Sequence, residues 1–320
     1  MKNLALLLLA AIIFSSCQKE ETQEEDNSNN YTWTTYTTKN NLSSNEVYCI
    51  SLDGEGHIWV GTEYGISRFN GTAWNKYSTA NGLIYHSVDC ITADNSNNIW
   101  AGTIIGASKF NGSSWTSYTS NTGLVSKLVR DIKADEDNHI WFATPEGVSE
   151  FTGDAWLTYQ KSADTGLVNN QVRAIAVDHE NNKWFGTEFG ISKFSGSSWT
   201  TYLSEVSIAD YIFTIYIDSK DRIWFGTLAG VAMFDGSDWY EFTSANGLVN
   251  NEVKAITEDK KGGMWFGTIY GLSRLANNVF TTFTADDGLP ASHITCLATD
   301  ASGNVWAGTR SGGVCKITRK

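Results

Sequence analysis

A Trp-x-Gly-Thr element recurs seven times along the chain, at Trp59, Trp100, Trp141, Trp184, Trp224, Trp265 and Trp306. Successive spacings are 41, 41, 43, 40, 41 and 41 residues, and only the third copy breaks the motif, with Ala143 where the others have glycine. An aspartate stands six residues before each of these tryptophans: Asp53, Asp94, Asp135, Asp178, Asp218, Asp259 and Asp300. A glycine stands three residues after each motif threonine: Gly65, Gly106, Gly147, Gly190, Gly230, Gly271 and Gly312. A period kept in register this long implies like units that bury their faces against one another.

Each unit reads as four short strands. In the first, 47–53, 57–62, 65–69 and 73–77 are rich in β-branched and aromatic residues and are separated by Asp, Asn and Gly. Four strands in about 41 residues is the pattern of a propeller blade, so the expected fold is all-β, a single seven-bladed propeller of antiparallel blades. Five units carry a second Trp 15 residues after the motif Trp (Trp74, Trp115, Trp156, Trp199 and Trp239), and Phe280 takes its place in the sixth. The seventh would need one near position 321, beyond Lys320, whereas Trp33-x-x-Tyr36 sits 41 residues before Trp74-x-x-Tyr77. Residues 31–37 are therefore expected to be the outer strand of the last blade. Pairing with 312–318 would close the ring and remove an open sheet edge.

The seven aspartates open the turn between a unit's first two strands, where a side-chain oxygen can accept backbone N–H groups. "DEDN" at 135–138 has a faint calcium-loop look, but most copies lack the further carboxylates such a loop needs. Cys49, Cys90 and Cys296 occupy one equivalent place, filled elsewhere by Ala174, Ala255, Thr214 and Asp131. Mostly small residues at that place point to buried free thiols, with a disulfide or metal site as the alternative if the side chains converge. Cys315 lies on another strand.

The pattern Gly-Leu, Val-x-x-Ile-x-x-Asp, Ile-Trp-x-Gly-Thr-x-x-Gly, Phe-x-Gly-x-x-Trp-x-x-Tyr resembles the two-component-regulator propeller repeat over residues 31–320. In that family the resemblance implies a sensor-type propeller, often the periplasmic part of a hybrid histidine kinase that responds to oligosaccharides. No kinase, phospho-acceptor or DNA-binding stretch accompanies the repeats here, so the expectation is a stand-alone binding module.

The first residues look like an address. Lys2 precedes an apolar run from Leu4 to Phe14, too short to span a bilayer, and Phe14-Ser15-Ser16-Cys17 resembles a bacterial lipobox. The expected organisation is a signal peptide over 1–16, a lipidated Cys17 with an acidic tether over 17–30, and the propeller over 31–320. The product would be exported and lipid-anchored at the outer membrane, on its periplasmic face or at the cell surface, and monomeric. A formal charge of −12 argues against sequence-independent nucleic-acid binding.

Function should lie where the copies disagree. Near the start of the inner strand these positions hold Glu46, Tyr48, His86, Arg130, Arg173, Tyr211, Glu252 and His293, and the Thr-x-x-Gly turns add Tyr64, Phe189, Tyr270 and Arg310. Aromatics, carboxylates and arginines around a channel mouth suit an oligosaccharide or peptide. The alternative of the same kind is a scaffold docking a membrane protein complex. An enzymatic alternative, a metal-dependent lyase or hydrolase resembling the streptogramin lyase propellers, would have to use His86, His293, Glu46 and Glu252. The five histidines are otherwise scattered, so no catalytic residue, metal or cofactor is expected. The fifth unit departs most, with "SEVSIADYIF" (204–213) where others read "NGL" or "TGL".

Overall fold

The computed structural model describes residues 26–162, 166–202 and 210–320. It contains seven four-stranded antiparallel sheets arranged as a β-propeller. In the first blade the strands run Val47–Leu52, Ile58–Thr62, Gly65–Phe69 and Trp74–Tyr77, from the central channel outward. The expected signal peptide and lipidated Cys17 lie outside the described residues.

The last blade combines both ends of the chain. Tyr31–Tyr36 pairs antiparallel with Val314–Arg319, Trp33 opposite Ile317 and Tyr36 opposite Val314. This strand also supplies a ring the blade would otherwise lack. Each motif Trp packs on an aromatic of its blade's outer strand, as Trp59 does on Tyr77 at 5.4 Å and Trp265 on Phe283 at 5.3 Å. Trp306 finds Tyr36, stacked at 5.7 Å between centroids. The folded body starts slightly before Tyr31: Ser28–Asn30 form a short 3-10 turn, and Asp26 accepts a hydrogen bond from the Tyr31 hydroxyl at 2.8 Å.

The seven aspartates do more than shape a turn. In all seven blades one carboxylate oxygen accepts the indole N–H of the motif Trp at 2.8–3.0 Å. The other oxygen accepts the backbone N–H four residues on. Three residues after each aspartate the backbone turns left-handed, at Gly56, Asn97, Asn138, Asn181, Asp221, Gly262 and Gly303, with φ between 61 and 85°. Only Gly, Asn and Asp stand there, the residues that tolerate this region.

A cation completes each cluster. Arg68, Lys109, Lys193, Arg274 and Lys316, at one equivalent position of the third strand, lie 5.1–5.8 Å from the ring of their blade's Trp. Blade 3 has Glu150 at that position, and Lys183 reaches over from blade 4 to Trp141 and to Asp135 at 2.9 Å. Blade 5 has Met233, and Arg222 takes the role, 2.6 Å from Asp218.

The motif glycine allows strand contact. At Gly61 a Cβ would stand 2.3 Å from the Cys49 sulfur, so the cysteine occupies the volume the glycine leaves open. Cys90 and Cys296 do the same against Gly102 and Gly308. All three thiols are free and buried, as is Cys315, and burial pushes Cys296 up to about 12. Their sulfurs face backbone carbonyls, Cys49 that of Val88 and Cys90 that of Val129. Blade 3 combines Ala143 with Asp131, whose carboxylate turns to accept the Ile175 N–H of the next blade at 2.9 Å.

One alignment needs correcting. The glycine equivalent to Gly65 in the last blade is Gly313, not Gly312: the Thr309 hydroxyl donates to the Gly313 carbonyl, and Gly313 has φ 82°. The turn there is one residue longer, which places Gly308 opposite Val314 where Gly61 stands opposite Ile66.

Candidate functional site

Loops entering the inner strands and the Thr-x-x-Gly turns share one face because they hydrogen-bond to one another. Glu63 N–H donates to the Glu46 carbonyl at 3.1 Å, and Gly65 N–H to the His86 carbonyl of the next blade at 2.6 Å. The channel that opens on this face has a cavity of about 410 Å³.

Its lining follows from a repeated backbone irregularity. In five blades the ladder between the first two strands shifts register just after the leading Val or Ile, between Val47 and Cys49, Val172 and Ala174, Ile212 and Thr214, Val253 and Ala255, and Ile294 and Cys296. The extra residue of a bulge leaves the ladder and re-aims its side chain. Tyr48, Arg173, Phe213, Lys254 and Thr295 are those residues, and all five line the channel with Asp89 and Arg130. This is why neighbouring positions on one strand can be invariant scaffold and variable lining.

The lining groups divide into linked sets. On one side Arg310 lies 2.8 Å from Glu46, which also accepts the Tyr48 hydroxyl at 3.0 Å. On the other, Arg130 and Arg173 both approach one oxygen of Glu188, at 3.4 and 3.3 Å. Arg173 lies 4.3 Å over the Tyr211 ring and 5.6 Å from that of Phe213. Lys254 caps the Phe213 ring at 3.3 Å and pairs with Glu252 at 2.6 Å. Burial pushes the carboxyl of Asp89 up to about 6. Burial first, then the charges of Lys254 and Arg310, holds His293 below its usual range.

Of the expected site residues, Tyr48, Arg130 and Arg173 line the channel itself, and Glu46, Tyr211, Glu252, His293 and Arg310 contact or adjoin that lining. Tyr64, Phe189 and Tyr270 stand on the surrounding rim, 59–61% exposed. His86 stacks between Tyr64 and Tyr85 and faces the Glu63 carbonyl through Nδ1 at 2.9 Å. The residues of the enzymatic alternative are thus spread over separate contacts: Glu46 with Arg310, Glu252 with Lys254, and His86 with the Glu63 backbone. Among the described residues no group of three or more His, Cys, Asp or Glu is arranged to hold a metal.

Sequence reasoning placed Phe213 and Lys254 at the variable position that yields Tyr48 and Arg173 without carrying them among the candidate site residues. It missed Glu188, whose role as shared partner depends on which arginines reach it. On the rim it passed over Ile104, Ile105 and Leu228, at 42, 36 and 53% exposure. Their signal was present, since they occupy the same turn as Tyr64. Most of the unusual segment of unit five, 203–209, lies outside the described residues. Its end brings Asp210 into a bridge with Phe189 and holds Tyr211 at φ 59°.

The family model of the two-component regulator propeller matches residues 41–64, 207–229, 247–270 and 288–311. No curated protein sequence matches significantly. Among solved structures, the chain is similar to the extracellular domain of a protein from B. thetaiotaomicron described as a hybrid two-component system. There it shows 27% identity and a TM-score of 0.77 over 89% of this chain, but spans only 41% of the other. It is similar in fold to virginiamycin B lyase from Staphylococcus aureus, at 16% identity and TM-score 0.75, over 91% of this chain and 100% of that one. PorZ of Porphyromonas gingivalis, a surface component of the type-IX secretion system, matches at 15% identity and TM-score 0.69, over 86% of this chain and 46% of PorZ. Four repeats of this seven-bladed propeller thus match the two-component regulator propeller repeat.

Proposed function

We propose that this propeller is an exported, non-enzymatic binding module whose channel-mouth face receives a polypeptide. The observation that carries this reading is the rim: in five of seven blades the same turn presents an exposed large apolar side chain, Tyr64, Ile104 with Ile105, Phe189, Leu228 and Tyr270. Grouped exposed apolar side chains mark interaction surfaces. Aromatic rings alone would suit a sugar face, but aliphatic Ile and Leu at equivalent positions offer a carbohydrate nothing to stack on. They do suit the apolar core of a protein interface. Export is supported by the signal-like first residues and by the extracellular domain the chain resembles. Among the described residues no helix is long and apolar enough to cross a membrane, and a lipid on Cys17 would supply the anchor.

The test is site-specific photo-cross-linking in cells, with benzophenone side chains replacing Phe189 or Tyr270 and, as control, Ser302 on the opposite face. The expected result is a discrete protein adduct from the rim positions and none from 302. If instead an oligosaccharide panel raises the melting temperature and Tyr64→Ala removes the shift, the face is a glycan site and the polypeptide reading fails.

A further inference from the structure

Two guanidinium groups sharing one carboxylate leave a charge without a partner. Arg130 and Arg173 have side chains only 20 and 21% exposed, and both lean on the same oxygen of Glu188. Arg130 Nη2 donates to Gln171 Oε1 at 3.1 Å, whereas its buried Nη1 has only the long 3.4 Å ion pair with Glu188 and makes no hydrogen bond among the described residues. A buried donor left unmade is costly, and for a charged donor more so. Arg173 is held on its other side by the Tyr211 ring, 4.3 Å below its guanidinium, with Phe213 at 5.6 Å. Tyr211 in turn is fixed in the left-handed region by its N–H to the Glu188 carbonyl at 3.2 Å. Bulky aromatic residues seldom adopt that conformation, which suggests a held geometry instead of a relaxed loop. Burial, and after it the like charge of Arg173, lowers the Arg130 pKa in spite of Glu188.

We infer that Arg130 and Arg173 form a carboxylate-binding site at the channel mouth, and that the polypeptide received by the surrounding rim inserts an acidic side chain there. This rests on the polypeptide reading above. Arginine pairs suit carboxylates because the planar fork matches two oxygens. In a chain carrying a formal charge of −12, such a cationic spot is also where an acidic segment would be drawn. The rim supplies apolar contact and the arginine pair supplies register.

The site is testable without knowing the partner. The probe is acetylated hexaglutamate, titrated by calorimetry into the full chain at low ionic strength, with acetylated hexaglutamine as the neutral control and trigalacturonate as the carbohydrate carboxylate. Hexaglutamate should bind and hexaglutamine should not. Arg130→Gln and Arg173→Gln should each weaken binding by about tenfold or more, and Arg130→Lys, which keeps charge but loses the fork, by less. Glu188→Gln should strengthen binding several-fold because it frees both guanidiniums, an effect general misfolding would not produce. No hexaglutamate binding, or binding indifferent to all four substitutions, overturns the site while leaving the apolar rim to be judged by cross-linking. Trigalacturonate binding with the same arginine dependence, without hexaglutamate binding, keeps the carboxylate site and overturns the polypeptide occupant.

Discussion

The two faces of the propeller obey opposite rules. On the face of the aspartate turns all seven copies agree, and each Asp–Trp pair is completed by a cation even where the sequence position fails. On the channel-mouth face the copies differ at nearly every lining position, and charges are linked in unequal groups. The first face shows what a blade needs to stand; the second, resting on the same strands, is relieved of that duty. The bulge separates the two, because in five of the seven inner strands it takes one residue out of the ladder and offers it to the channel.

The comparison can be broken first at the seam. Deleting 31–37 uncovers the edge of Val314–Arg319 and strips Trp306 of Tyr36, so chromatography and urea melts should show oligomers or loss of a single cooperative transition. An unchanged monomer would refute the closure. Next is Asp259→Ala, which leaves the Trp265 indole and the buried Arg274 Nε without their acceptor, the guanidinium keeping only Asp26. The expected cost is about 3–5 kcal/mol in denaturant melts. Lys183→Met, which removes the borrowed cation from Asp135, should cost about 1–3 kcal/mol. Lys193→Met, at a more exposed pair 3.8 Å apart, should stay within about 1 kcal/mol.

The faces should also answer pH differently. Burial works against charge at Asp53, Asp135, Asp178, Asp259 and Asp300, but the hydrogen bonds they accept and, at several, a neighbouring cation overcome it and hold each below its ordinary value. Their contribution is therefore complete above about pH 4 and lost as pH falls through the lower folded-state values. Asp89, raised to about 6, has the reverse sign: it costs stability above that pH and the cost fades towards pH 4. Asp89→Asn should accordingly raise stability by about 1–2 kcal/mol at pH 7.5 and change little at pH 4. Equal effects at both pH values would mean that its burial is not what sets its proton affinity. Smallest of all, Tyr64→Ser, Phe189→Ser and Tyr270→Ser should each stay within about 0.5 kcal/mol, since these rings project into solvent; a larger loss would make the rim structural.

The seven blades, their four strands and the seam were legible because repeats expose their own alignment: Trp33-x-x-Tyr36 has meaning only beside six fuller copies. The aspartate turns were legible for the same reason, and the left-handed Gly, Asn or Asp three residues later could have been read too. Blade 3 was not. Glu150, Ala143 and Asp131 look like independent drift along the chain, yet Lys183 of the next blade answers the first and the Ile175 N–H donates to the last. At the site, position along the inner strand was enough to propose Tyr48, Arg130 and Arg173, but not that two of them share Glu188.

What the sequence determined by itself was everything local and repeated: strand, turn, the Asp-to-Trp spacing and the need for an outer strand from the other end. Hydrogen bonding and side-chain alternation act over a few residues, and a 41-residue period carries them faithfully. What only the tertiary structure decided was partnership between blades: which cation covers Trp141, which backbone N–H answers Asp131, and which charge at the channel mouth is left over. Those depend on side chains some 40 residues apart meeting across a closed ring, and no spacing along the chain encodes how two such groups divide a third.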